Sequence, residues 1–294
     1  MPYAMIVLAK QVPDTKNITG QAMKEDGTVN RSALPAIFNP EDLNALEMAL
    51  SIRDRFGGRV TVLSMGPPAA AEIMRDALMR GADDALLLCD KRFAAADTLA
   101  TAYALNCGIR RIGPCDIILC GRQAIDGDTA QTGPQVAGRI GIPQVTYVEE
   151  VRSLSATTLE ARRNIEGGYE IVRTSLPALL TVVGSANESR PPSAKRLMHY
   201  KKARTASEVR KAITDEQRAE AEIRRLEERG LLIREWTVDC IDAEPCKCGL
   251  AGSPTRVMKI QSIVLTAGEQ KRYEPTRESI AELVKELVQD HALG

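Results

Sequence analysis

The chain has 294 residues, enough for about two average domains or one large α/β domain with additions. Its 39 Lys plus Arg balance 39 Asp plus Glu, which removes the broad basic field of a general nucleic-acid binder. With 44% hydrophobic, 27% charged and only 3% aromatic residues it is an ordinary globular composition with an aliphatic core, which excludes collagen, disorder throughout and a disulfide-stapled mini-protein and argues against a site of stacked aromatic rings.

In chain order, the first apolar run, Tyr3 to Ala9, is far short of the roughly 20 residues of a membrane helix, and no stretch approaches that length. No basic residue precedes it, so it reads as a buried strand rather than a signal peptide. Further aliphatic runs lie at 59–64, 85–89 and 115–120. They are continuous rather than alternating, as in strands of a parallel sheet covered on both faces. Helical patterns separate them. Asn39-Pro40-Glu41-Asp42 supplies a capping side chain, a Pro in the first turn and two acids, followed by a stripe of Leu43, Leu46, Ala49 and Leu50 and a stop at Gly57-Gly58. Residues 68–80 and 97–110 repeat the pattern. This alternation predicts a doubly wound, mostly parallel α/β sheet.

After residue 143 the runs at 145–151, 158–163 and 169–174 read as an antiparallel meander or hairpin, with another buried strand at 178–183. From Asn187 to Lys202 the chain is polar and basic, a linker or exposed loop. Residues 206–230 read as one highly charged surface or partner-facing helix, or as only a solvated spacer, with a sparse apolar stripe (Val209, Ile213, Leu226). From Trp236 the chain reads as irregular until a last helix at about 277–291. The seven Cys, an odd number, sit partly in apolar runs and suit a reducing compartment, so the expected localisation is cytoplasmic.

The segment with most chemistry is Cys120-Gly121-Arg122-Gln123-Ala124-Ile125-Asp126-Gly127-Asp128-Thr129-Ala130-Gln131-Thr132-Gly133-Pro134. It follows a buried strand and leads into a helix expected to begin near Thr129. Such a crossover lies at the carboxyl edge of the sheet, where α/β folds bind ligands. Gly121 and Gly127 allow close backbone approach, helix-start amides suit a phosphate, Arg122 offers a charge, and Thr129, Gln131 and Thr132 offer hydrogen bonds. The residues alone leave a plainer reading open, in which Asp128 or Thr129 only caps a helix and Arg122 lies in solvent. The loop is neither a Walker A sequence nor a GxGxxG fingerprint, and Asp126 and Asp128 lack a third hard ligand nearby. Cys240, Cys246 and Cys248 could together bind a metal or cluster, but they lack a Cys-x-x-Cys pair and a nearby fourth ligand, so free thiols are the favoured reading. His199 and His291 read as surface residues, and Trp236 as a packing anchor.

A wider set of motifs accompanies this loop: Lys10-Gln11-Val12-Pro13-Asp14, Asn39-Pro40-Glu41-Asp42, Ser64-Met65-Gly66-Pro67, Arg80-Gly81-Ala82-Asp83, Pro177-Ala178-Leu179-Leu180-Thr181, Asn187-Glu188-Ser189-Arg190 and Gly249-Leu250-Ala251-Gly252-Ser253-Pro254-Thr255. In this order the chain resembles the β subunit of electron transfer flavoproteins. The resemblance implies a heterodimer with a flavin-bearing α subunit. It implies a Rossmann-like nucleotide domain over 1–190, a partner-recognition loop and charged helix over 191–235, and a C-terminal arm over 236–294 that wraps the α subunit. Carried over by position, it places an adenine nucleotide against Leu8, Asn39, Met65 and residues 121–133. One kind of β subunit in the family holds AMP and passes electrons from an acyl-CoA dehydrogenase. The other holds FAD, accepts a hydride from NADH and splits the electron pair between ferredoxin and a flavin dehydrogenase. The run 126–133, the run Ala96-Asp97-Thr98-Leu99-Ala100-Thr101 and the 249–255 motif resemble the second, bifurcating kind. That resemblance implies Arg122 near the flavin or its phosphates, and Asp97 or Thr98 against the flavin or nicotinamide nucleotide. Ala194 stands where relatives often carry a Leu anchor, and the 206–230 helix resembles an insertion; both leave the dehydrogenase open. A nucleotide-binding sensor or scaffold similar in fold to universal stress proteins is the competing class.

Overall fold

The computed structural model describes residues 2–14, 34–255 and 271–289. β1 (Tyr3–Ala9), β2 (Gln11–Pro13) and β3 (Ala36–Phe38) precede α1 (Pro40–Phe56). Then β4 (Gly58–Met65), α2 (Ala71–Arg80), β5 (Asp84–Leu88), α3 (Thr98–Ile112), β6 (Ile117–Gly121) and α4 (Thr132–Ile140) alternate. β7 (Gln144–Leu154), β8 (Thr158–Ile165) and β9 (Gly168–Ser175) form the meander, and β10 (Ala178–Val182) returns to the centre. α5 (Ala194–Tyr200), β11 (Arg204–Thr205), α6 (Ala206–Ala212), α7 (Glu216–Glu228), β12 (Leu232–Trp236) and α8 (Arg277–Gln289) follow.

The principal sheet has ten strands in the order β11-β12-β5-β4-β1-β6-β10-β7-β8-β9. Pairing is parallel from β11 to β7 and antiparallel from β7 to β9. The chain winds outward from β1 through β4 and β5, then crosses to β6 on the other side. The switch point therefore lies between the carboxyl ends of β1 and β6, where a doubly wound sheet opens its ligand crevice. Alternate β1 residues feed two cores. Met5 and Val7 pack with α1 and α2, and Ile6 and Leu8 with α3 and α4.

Two expectations change. The charged 206–230 segment is two helices, because Thr205 closes a capping box with Glu208 and Asp215 caps the second helix by accepting from Arg218 N at 2.9 Å. Its apolar residues Val209, Ala219, Ile223 and Leu226 are buried in the α1–α2 core, so this pair covers the chain's own sheet. Trp236 ends a strand rather than opening an irregular tail. β12 pairs parallel with β5, in register Arg234↔Leu86 and Trp236↔Leu88. Its Leu-Ile-Arg-Glu-Trp sequence hides this: β11 pairs only with Leu232 and Ile233, so the charged half at Arg234 and Glu235 runs along an open edge, where charges are tolerated.

Candidate functional site

The site is assembled on the start of α1. Asn39 is fully buried but does not cap that helix with its side chain. Its Nδ2 donates to Gln123 O at 2.9 Å and its Oδ1 accepts from Ile125 N at 3.2 Å. Glu41 accepts from Gln123 N at 2.9 Å and pairs with Arg122 at 3.0 Å. Asp42 accepts from Gly121 N at 2.8 Å through one oxygen and from Lys10 N at 2.9 Å through the other. Three neighbouring side chains thus fasten both loops of the switch point. A Cβ on Gly121 would lie 2.7 Å from Asp42 Oδ1 and from Glu41 Cβ, so the approach requires glycine. Burial drives the Asp42 carboxyl up to about 7, against the opposing pull of the Gly121 and Lys10 amides, the Asn39 side chain and the Lys10 charge.

The loop divides into two halves. In the first, the amides of Gly121, Arg122, Gln123 and Ile125 serve protein acceptors, Arg122 N donating to Val182 O at 2.8 Å. These amides hold the loop in place. In the second half, Gly127, Asp128, Thr129 and Gln131 are exposed. Lys10 Nζ pairs with Asp126 at 2.7 Å, and Gln123 Nε2 donates to Asp128 Oδ1 at 3.1 Å. Asp128 and Ala130 have φ of 48° and 52°. These left-handed residues delay the helix, so α4 begins at Thr132 instead of Thr129. Its first-turn amides have no acceptor within the helix. Gly133 sits where a Cβ would lie 2.7 Å from Cys120 Sγ, which brings the helix start down onto the end of β6.

Across from this half, Thr98 Oγ1 donates to Gln131 Oε1 at 3.2 Å and accepts from Gln135 Nε2 at 3.2 Å. Thr98, Gln131, Thr132 and Gly133 are thus brought together. Asp97 is engaged elsewhere. Its carboxylate accepts from Ala100 N at 2.9 Å and Thr255 N at 3.1 Å, and these bonds outweigh desolvation to keep it below the ordinary carboxylate range. Ser253 Oγ accepts from Asp97 N at 2.8 Å and donates to Gly249 O at 2.7 Å. The 249–255 motif therefore docks on the start of α3. Leu8 and Met65 end their strands at the same edge, on the α3 side. Arg122 does not lie free in solvent: it is held between Glu41 and the Tyr147 ring, 5.7 Å from the ring centroid.

Sequence reasoning missed Glu41 and Asp42 as loop anchors, because acids in a first turn already suit the helix dipole. It also missed Gln135 and Tyr147, which stand in no motif, and Lys10, whose 10–14 motif does not reveal that its backbone amide and ammonium reach Asp42 and Asp126. Cys240 and Cys246 are exposed and Cys248 is buried, and among the described residues no His, Cys, Asp or Glu cluster offers a metal site. His199 stands edge-on to Tyr200, and Trp236 is half-buried with Arg234 over its ring. His291 lies outside the described residues. Arg190 binds Glu47 at 2.8 Å and Asp54 at 2.9 Å, so the 187–190 motif is tied to α1.

A doubly wound sheet with an anchored loop at its switch point defines a Rossmann-like α/β protein. Residues 26–216 match the electron transfer flavoprotein domain. The chain is 39% identical over 287 residues to the electron transfer flavoprotein subunit beta of Clostridium acetobutylicum, covering 98% of each chain. It is 43% identical over 261 residues to protein FixA of Bradyrhizobium diazoefficiens, covering 87% of this chain and 81% of that one. It is also 37% identical over 292 residues to the caffeyl-CoA reductase-Etf complex subunit CarD of Acetobacterium woodii, covering 98% and 99%. The chain belongs to the electron transfer flavoprotein family, among its β subunits.

Proposed function

We propose that this chain is the β subunit of a bifurcating electron transfer flavoprotein, working in the cytoplasm with an α subunit and holding FAD on the 121–133 loop. The observation that carries this reading is the two-part loop. One half is fixed by Asn39, Glu41 and Asp42; the other presents exposed polar groups and the first-turn amides of α4 at the switch point. Among the described residues four buried polar atoms have no partner, Ser64 Oγ, Arg122 Nε, Gln135 Oε1 and Glu235 Oε1, and the first three belong to β4, the loop and α4 around the switch point. Hydroxyl, guanidinium and amide groups suit the hydroxyls and phosphates of an adenine dinucleotide, so the residues fit the group.

Bound there, the flavin supplies two-electron exchange with NADH and one-electron exchange with ferredoxin and a flavin dehydrogenase. The chain's residues do the rest. The strand ends at Leu8 and Met65 floor the site, Thr98 and Gln131 orient a polar group, and Arg122 brings positive charge to the phosphates. Asp97 acts through the backbone, fixing the start of α3 against the arm. In the 191–235 segment, exposed Leu197 and Met198 on α5 supply an apolar contact for the dehydrogenase, beside the Ala194 that opens the helix. The arm from 236 onward contacts the α subunit. The name of the CarD relative supports a CoA-linked partner.

The test is to purify the αβ complex, release its small molecules by denaturation, and count them. Two FAD per dimer is the expected result. One FAD with one AMP assigns the chain to the carrier kind, fed by an acyl-CoA dehydrogenase. A colourless chain purified without an α subunit returns it to the sensor or scaffold class.

A further inference from the structure

Tyr147 occupies a backbone conformation that a bulky side chain rarely takes. Its φ is +59° within β7, in the left-handed region that favours Gly and Asn. The residue sits at a break in register. Leu180 pairs with Val145 and Val182 with Val148, so β7 carries one extra residue opposite Thr181. Such a bulge re-aims a side chain at the edge of a sheet. It is held from both sides. Thr181 Oγ1 accepts from Tyr147 N at 3.2 Å, and Arg163 donates to both Thr146 O and Thr146 Oγ1 at 3.0 Å.

The strain yields little burial, since Tyr147 remains 40% exposed. What it yields is a place for the ring. The ring lies under the Arg122 guanidinium, which Glu41 grips at 3.0 Å. The Nε of Arg122 is buried and has no hydrogen-bond partner. A clamped guanidinium with an orphan donor is arranged at the expense of stability, which is typical of a group set up for a ligand.

We propose that Tyr147 is a positioning residue: its bulge-borne ring holds Arg122 at the carboxyl edge of β6, so that the guanidinium meets the phosphates of the adenine nucleotide on the 121–133 loop. This rests on the reading that the loop carries such a nucleotide. A guanidinium free to sample its rotamers must be ordered when an anion binds, and a clamped one has already lost that freedom.

The experiment uses the co-purified αβ complex, stripped and titrated with FAD and separately with AMP. Tyr147→Asn keeps a residue at ease with positive φ but removes the ring. Tyr147→Phe keeps the ring. The Asn variant is expected to melt no lower than the wild type yet bind the loop's nucleotide about tenfold more weakly, with Phe restoring affinity to within about twofold. A merely structural residue would lose melting temperature and affinity together, and that outcome overturns the proposal. So does wild-type affinity in the Asn variant, or equal loss in Asn and Phe. If the wild-type complex holds no adenine nucleotide at this loop, the underlying reading falls, and that is seen before any variant is made.

Discussion

At the scale of single residues, the site depends on a carboxyl group in an unfavourable place. Asp42 is only 6% exposed and satisfies two amides from different loops. Its native pKa, near 7, stands above its unfolded value. The folded chain therefore holds a proton that the unfolded chain has released. Stability from this group is fully present below the unfolded value, about 4, and is lost as pH rises through 7. The whole effect is about 4 kcal/mol. Asp42→Asn removes the titration, so chemical denaturation from pH 4 to 8 should show the wild type losing stability relative to the variant, then running parallel. A constant difference across that range would mean the carboxyl never protonates in the fold. Asn39 makes a different kind of contribution. Asn39→Ala removes both of its bonds to the loop and leaves Gln123 O and Ile125 N without their partner. About 1–3 kcal/mol should be lost, with faster hydrogen exchange around 123–125, where an unanchored loop would show itself.

At the scale of elements, the parallel strands could be read from the sequence because a strand buried on both faces has little choice but aliphatic residues: Ala85 to Leu88 are all buried. The helix starts were legible wherever capping chemistry was local, as at Asp97, whose side chain accepts from Ala100 N. The same logic failed at Asn39, where the capping residue type turned outward to a loop 84 residues later in the chain. It failed again at β12, where an alternating charged strand resembles a loop. Position in the chain pointed to the loop at the switch point; which of its groups are already engaged was settled by tertiary hydrogen bonds that no local pattern encodes. The docking of α4 on β6 shows how tight this framework is. Gly133→Ala sets a methyl group 2.7 Å from Cys120 Sγ and 3.1 Å from Thr181 Cγ2. Overpacking of this kind should cost about 1–3 kcal/mol. Cys120→Ala empties most of that space, so the double variant should be more stable than the sum of the two single losses predicts. Strict additivity in a thermal melt series would place the strain elsewhere.

At the scale of the whole molecule, α8 is the element whose sequence and surroundings disagree. Ile280, Leu283, Val284, Leu287 and Val288 recur at helical spacing, yet none is buried, and Ile280, Val284 and Val288 are about half exposed. A helix of 13 residues has little stability alone in water, so such a stripe calls for a cover. In the proposed αβ complex the cover is a surface of the α subunit. Ile280→Asp combined with Val284→Asp puts two charges in the middle of the stripe. Each large apolar side chain withdrawn from a buried contact costs about 1.5–3 kcal/mol, so the pair should weaken assembly with the α subunit at least about tenfold in sedimentation or titration. The α/β domain should melt as before, because among the described residues no α8 side chain belongs to its core. Unchanged assembly, with amides of α8 exchanging as fast in the complex as outside it, would show that the stripe faces water there too and that the arm holds its partner through other residues.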